Sequence, residues 1–581
     1  MKIKHYFGLA VIAAMTASCS SNEDLGTAGS GTGTNEAGVG YATFTINLPS
    51  VSGTRADAGG AEMNEGSAEE YAVKSATALI FQKYGSDEGS YKFVESVTLP
   101  IDVWTNDETD GITTTSKKLV AKLTNVDTKN TYAVLVLLNN NTASGVKIKL
   151  PSVGDSYNDW NNQVLSPDLA ELAKTGEFYM ANAPLNKAGK VTTLVTIDKD
   201  KIYSSKEKAE NGTAADVYVE RGVAKMTVAD PGTITVMDKA TSTETQSKVT
   251  FSKWALDITN KKTFAVHNID GLSLSKNFPA IWDTERFTGA NNRVYWGKDP
   301  NYDLDILKEV SEAGDKKRTD EFNSITATSE INKDFINTTN TNPVYCLENT
   351  FNLTNMYQGQ TTRVIFKAKY TPKDDTGADL ADTGGTFYTI GNMTTILKFA
   401  DLKTAVDAAA DAVLPGCVVD YKNLEKEGSH VITLEDIKEN ASSTTHLDGA
   451  TKYGTGLKTG EDIVAAINDK LGLKAGRKEA MVGINTYLEG ATYYIARVKH
   501  FGSLTPWNSG ESYGTKNKEY LGRYGMLRNN WYELTVGNVY GPGYPGVPPV
   551  DPTLPDDENE KYLSVSVKIL SWAKRSQKVD L

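Results

Sequence analysis

Cysteine is nearly missing from this chain of 581 residues: three occur, at Cys19, Cys346 and Cys417. So few thiols, so far apart, exclude a disulfide framework. Cys346 and Cys417 read as buried free thiols, with a single pairing in an oxidising compartment as the alternative. Histidine is almost as sparse, and none of His5, His267, His430, His446 and His500 stands in a metal-ligand spacing such as H-E-x-x-H. C-x-x-C and G-x-S-x-G are absent, and "YGTGLKTG" (453–460) lacks the spacing of a phosphate loop and reads as a surface turn. No catalytic residue, metal or cofactor is assigned, and the chain reads as a non-enzyme. The Asp- and Asn-rich turn "WGKDPNYDLD" (296–305) is open between Ca²⁺ ligation and plain solvated loop. Positive charge is also short: the formal net charge of −12 argues against nucleic acid or an anionic membrane surface as the main partner.

Long apolar runs are lacking except at the start. "MKIKHYFGLAVIAAMTASCSSNEDLG" has a short basic head, an apolar run from Tyr6 to Met15, and small residues before Cys19. It is too short to span a membrane as a mature helix and reads as an export signal over 1–18, with Cys19 as the acylation point of a bacterial lipoprotein. Residues 20–38 are a Gly/Ser/Thr-rich tether that has no means of forming a core. Cations then almost vanish. Between Lys4 and Lys74 the only Lys or Arg is Arg55, in the small-residue loop "SVSGTRADAGG". One exposed arginine in such slack, followed by Ala56, is open between a place to be cut and an ordinary solvated loop residue.

What the chain has in plenty is strand grammar. "YATFTINLP" alternates Ala42, Phe44, Ile46 and Leu48 with polar or aromatic neighbours, as a half-buried strand does. Short apolar or alternating runs recur at 76–82, 91–100, 118–123, 131–140, 216–230, 253–266, 362–370, 492–501 and 531–541. Helical patterning is confined to 399–413 and 461–473. Many strands, few helices and this length predict a mostly β chain of two β-sandwich domains with small helical inserts. The polar stretch 237–248 suggests a boundary, giving a tether and first strand over 19–55, a first domain over 56–240 and a second over 241–540. "GPGYPGVPPVDPTLPDDENE" (541–560) reads as an extended, solvated leash reaching roughly 60 Å at about 3.1 Å per residue. After it, Leu563, Val565, Val567 and Ile569 alternate with polar residues, followed by Trp572. A strand on so long a leash is expected to visit a neighbour, with pairing in its own domain as the alternative.

Taken in order, these stretches resemble the fimbrillins of Bacteroidales bacteria, pilus subunits of the Mfa1/FimA kind. The resemblance rests on Cys19 with acidic residues after it, the strand and Arg at 41–55, "VERGVAKMTV" (219–228), "WALDITNKK" (254–262), "YCLENT" (345–350) and "TRVIFKAKY" (362–370). The run "MLRNNWYELTVGNVYGPGYP" followed by "YLSVSVKILSW" is its most specific part. It spans nearly the whole chain, more firmly at the two ends than at 270–340 or 420–490.

The resemblance implies transthyretin-like β-sandwich domains and export as a lipoprotein acylated (palmitate) on Cys19, to the outer membrane and cell surface. It implies cleavage after Arg55 by an Arg-specific protease, removal of the 41–48 strand, and its replacement by a donor strand beginning near Tyr562 of the next subunit. The implied partners are further copies of the chain in a head-to-tail polymer, anchor and tip subunits, the protease and, in the precursor, the lipid anchor. The implied role is a pilus-shaft subunit serving adhesion and biofilm formation. An anchor or tip adhesin is the alternative within the same fibre. A glycan- or nutrient-binding surface lipoprotein, using some of the Tyr and Trp, is the alternative from another class.

Overall fold

A computed structural model describes residues 32–48, 63–64, 66–101, 104, 116–187, 190–272, 293–438, 459–476, 481–500, 521–556 and 563–572. The chain is mostly β. Its first sheet is built from β1 (Gly40–Asn47), β3 (Ala76–Gln82), β4 (Lys92–Leu99), β5 (Ser116–Leu123), β6 (Tyr132–Leu138), β7 (Met180–Asn182), β8 (Val195–Ile197), β9 (Ile202–Tyr203) and β10 (Ala215–Arg221). The pairing order runs β9–β1–β10–β7–β6–β3–β4, with β5 beside β1 and β8 beside β6. β6 is buried at every position, which is why "YAVLVLL" is a continuous apolar run rather than an alternation. Beside it β3, and next to β3 β4, supply Phe81 and Phe93, which meet edge to face at 5.6 Å.

The chain leaves this core abruptly. Val223 belongs to the first cluster of buried residues and Ala224 to the second. The turn between the two halves of "VERGVAKMTV" is made at Gly222, where a Cβ would lie 2.8 Å from the Tyr179 ring. The second cluster lies between two sheets. One contains β11 (Ala224–Val228), flanked by Val344–Cys346 and by Asn530–Val539. The other runs through Thr233–Met237, Glu244–Asp257, Arg363–Thr371 and Ala491–Arg497 in that order. The polar stretch at 237–248 is the turn of the Thr233–Met237/Glu244–Asp257 hairpin and the start of its second arm.

A third, smaller core forms under two helices. Phe399–Val413 buries Leu402, Val406 and Ala410 along one face, and Gly460–Lys470 buries Ile463 and Ile467. Thr459 opens the second helix with a capping box to Asp462. Both thiols among the described residues are free. Cys346 is buried and Cys417 half-buried, so the single pairing left open by the sequence is not made.

Asp299 overturns the reading of 296–305 as a solvated loop. It is 3% exposed. Its carboxylate accepts from the backbone N–H of Thr350 (2.7 Å) and Asn301 (2.7 Å) and from the Asn260 amide (2.6 Å). Asp299 folds inward because Thr350, Asn301 and Asn260 satisfy its carboxylate, while Asp303 and Asp305 of the same turn stay exposed. Among the described residues, no three His, Cys, Asp or Glu side chains gather as a metal site. No described helix is long and apolar enough to cross a membrane.

Candidate assembly site

β1 is seated between two partners that are not adjacent in sequence. It runs antiparallel to β5 over all eight positions, from Gly40 opposite Leu123 to Asn47 opposite Ser116. On its other edge it pairs with β9 at Tyr41 and Ala42, then parallel with β10 from Phe44–Ala215 to Asn47–Tyr218. Ala42, Phe44, Ile46 and Leu48 are all at most 1% exposed, as the alternation predicts. Thr43 breaks the alternation: it too is buried, and its hydroxyl donates to the Ala209 carbonyl at 2.6 Å. The short helix Lys206–Asn211 lies over the face that a two-layer reading leaves to solvent. Asn47 ties the far end, its amide donating to the Val217 carbonyl at 3.3 Å.

The seat begins before the strand. Gly33 N–H donates to the Ile202 carbonyl at 2.6 Å, and the Asn35 side chain accepts from the N–H groups of Ala37 and Val39. Residues 32–38 are therefore a docked turn, although the composition of 20–38 reads as a structureless tether. Gly40 is there for space. A Cβ at this position would lie 2.7 Å from Ile202 Cγ2 and 3.3 Å from Val126 Cγ2. Cys19, Arg55 and Ala56 lie outside the described residues.

The C-terminal strand is β21 (Leu563–Trp572). In this single chain it lies antiparallel along β20 (Asn530–Val539) of its own fold. Leu563, Val565, Val567 and Ile569 stand opposite Val539, Val536, Leu534 and Tyr532, the inward row of the second core. Its outer edge is not bare either: β2 (Met63–Asn64) pairs with it in parallel, Met63 opposite Ser571 and Asn64 opposite Trp572.

The leash is corrected as well. Residues 541–556 are a docked strap rather than a solvated linker. Tyr494 and Tyr487 donate their hydroxyls to the carbonyls of Gly541 (2.8 Å) and Gly543 (3.0 Å). Tyr493 and Tyr544 exchange two backbone hydrogen bonds. Arg363 bridges Asp257 (Nε, 2.7 Å) and the Pro548 carbonyl (Nη2, 2.7 Å), all three buried or nearly so. At the far end Asp556 is fully buried and accepts from the Thr361 hydroxyl at 3.2 Å. Proline cannot donate to a ladder, so beside the backbone pair at Tyr544 this segment is held largely through its carbonyls, by side-chain donors from distant strands. That is why composition alone reads it as solvated.

In this mostly β chain, β1 is seated between non-sequential neighbours and β21 fills a second sheet between β20 and β2. Residues 485–578 match the family "Major fimbrial subunit protein type IV, Fimbrillin, C-terminal". The carboxy-terminal part of the chain thus matches a fimbrillin C-terminal region, in agreement with the resemblance carried by 526–545 and 562–572. No curated protein matches the sequence.

Among solved structures, the chain is similar to a candidate cell adhesion protein from Parabacteroides distasonis ATCC 8503, at 10% identity and TM-score 0.38, covering 92% of this chain and 99% of that one. It is also similar to a fimbrial assembly protein from the same organism, at 12% identity and TM-score 0.26, covering 61% and 93%. A third is the C-terminally truncated tip fimbrial protein Mfa3 of Porphyromonas gingivalis, at 11% identity and TM-score 0.28, covering 92% and 100%.

Proposed function

We propose that this chain is a structural subunit of a cell-surface fimbria, exported as a lipoprotein acylated on Cys19, cut after Arg55 and polymerised by strand exchange. Its two main cores are read as two β-sandwich domains that meet near Val223. The observation that carries the reading is the seat of β1. Once the chain behind it is cut, β1 is held in its sheet by noncovalent contacts alone: ladders to β5, β9 and β10, its apolar row, and the side-chain bonds of Thr43 and Asn47. Loss of the strand would bare an apolar trough and two sheet edges, a surface that another strand can fill. Leu563, Val565, Val567 and Ile569 repeat the two-residue period of Ala42, Phe44, Ile46 and Leu48, so the C-terminal strand of a second copy supplies a fitting row. A joint of this kind is heterologous and does not close, so it extends into a fibre.

The docked strap changes the reach of the donor. With Asp556 fixed, the Cα of Leu563 lies seven residue steps away, at most about 25 Å fully extended. The receiving trough must stand within that distance, or the strap must peel off. An anchor or tip subunit is the second reading, favoured by the seating of β21 along its own β20, which suits a chain that ends a fibre.

The test treats the exported protein with an Arg-specific protease and follows SDS-resistant ladders, beside Arg55→Ala and a variant lacking 562–581. Ladders in wild type alone support the shaft reading. Ladders that persist in both variants refute strand exchange.

A further inference from the structure

Residues 63–64 and 66–70 are fixed at the two sides of the sheet that holds β21. At the outer side Met63 and Asn64 pair with Ser571 and Trp572. At the inner side Glu70 is 3% exposed and its carboxylate is fully engaged. Lys225 Nζ lies 2.8 Å from Oε1, the Tyr345 hydroxyl donates to Oε1 at 2.6 Å, and the Ser67 N–H donates to Oε2 at 3.0 Å. The Glu70 carbonyl accepts from Arg221 Nε at 2.8 Å. Lys225 is on β11 and Tyr345 on its flanking strand, so the anchor grips the sheet on the far side of β20.

Lys225 also sits over the Trp531 ring, 3.6 Å from its centroid, and Trp531 stands opposite Leu570 of β21. Three strand spacings of about 4.8 Å separate β2 from β11, a distance the six residue steps from Asn64 to Glu70 can cover. A buried carboxylate so completely paired is a fixed point, because freeing it would strand the Lys225 ammonium in the interior.

We infer that residues 63–70 are a clasp that keeps the C-terminal strand in its own sheet, an autoinhibitory contact on the donor. In sequence the clasp follows β1 and Arg55. One cut there separates the strand that fills the acceptor trough from the segment that covers the donor. Both halves of the joint are thereby held shut in the uncut chain by one continuous stretch. Glu70 keeps the new amino-terminal segment attached after cleavage, so release of the donor proceeds by opening of the Met63–Asn64 pairing, which is only two residues long.

The inference rests on the proposed strand exchange, and its test separates the two. Met63→Cys with Ser571→Cys places thiols at directly paired positions. After the Arg-specific cut, the oxidised variant is expected to form at least tenfold fewer SDS-resistant ladders than wild type, with dithiothreitol restoring them. Ladders at the wild-type rate from the oxidised variant overturn the clasp. If wild type itself fails to form ladders, the strand-exchange reading falls and the clasp is judged on the monomer. There, Glu70→Gln is expected to speed amide hydrogen exchange in 563–572 about tenfold, with Tyr132–Leu138 unchanged. Unaltered exchange in 563–572 would overturn it.

Discussion

Single residues carry consequences that titration and labelling can read. Cys346 is buried in the second core, and desolvation pushes its thiol up to about 12. Cys417 is half-buried, pushed up to about 11 by desolvation and then by the nearby Asp407 and Asp411. The thiolate is the reactive form, so iodoacetamide at pH 8 should leave the Cys346 peptide unlabelled and the Cys417 peptide only slowly labelled. Both should react fully in denaturant. Native-state labelling of Cys346, read by mass spectrometry, would contradict its burial.

Glu88 gives a pH dependence with a definite sign. Burial pushes its carboxyl up to about 7, against the pull of the Thr193 and Leu194 N–H groups that it accepts from. Because the folded state holds its proton more tightly than the unfolded chain, the contribution is fully present below the ordinary value of 4.5 and lost as pH rises towards 7. Asp299, raised from 3.8 to about 7 chiefly by desolvation, adds in the same direction. Denaturant midpoints measured across pH 4 to pH 8 are expected to fall less steeply in Glu88→Gln than in wild type. An unchanged slope would remove Glu88 as a source.

At the scale of elements, the strands were legible and their destinations were not. The runs at 76–82 and 399–413 coincide with an observed strand and helix because period alone defines them. β1 was legible for the same reason, and the buried row Ala42, Phe44, Ile46 and Leu48 follows from it. Thr43 was not, since its partner Ala209 lies 166 residues away. The strap at 541–556 was misread because its hydrogen bonds come from Tyr487, Tyr494 and Arg363, which no local pattern announces. Glu70 sits in a polar run, "SAEEY", that looks solvent-facing until Lys225 and Tyr345 are brought to it.

The strap's dependence on Arg363 is testable. Removing one partner of a buried ion pair costs about 3–5 kcal/mol, and here it also leaves the Pro548 carbonyl without its donor. Arg363→Met is therefore expected to lower stability by an amount of that order and to open 541–556 to limited proteolysis. Asp257→Asn, which keeps a hydrogen-bond acceptor for Arg363, should do so less. Equal protease resistance in wild type and Arg363→Met would show that the strap is held elsewhere.

At the scale of the whole molecule, β1 is a placeholder whose grip opposes assembly. Burying Phe44, Ile46 and Leu48 contributes roughly 1.5–3 kcal/mol each, and the ladders to β5 and β10 add to it. An incoming strand must wait for this one to leave, so the same contacts that stabilise the precursor slow the joint after the cut. Phe44→Ala removes the largest of them, and truncating a buried Phe typically costs 3–5 kcal/mol.

Two opposite effects follow from that one substitution. The uncut chain should unfold at lower denaturant, because the strand is still part of the fold. After cleavage the weakened strand should depart sooner, and SDS-resistant ladders should appear faster than in wild type. Gly40→Val should act in the same direction, since its side chain would collide with Ile202. A time course settles the matter. If Phe44→Ala slows ladder formation while the cut itself proceeds normally, then departure of β1 does not limit assembly, and the step that does must lie at the C-terminal strand and its two-residue pairing with Met63 and Asn64.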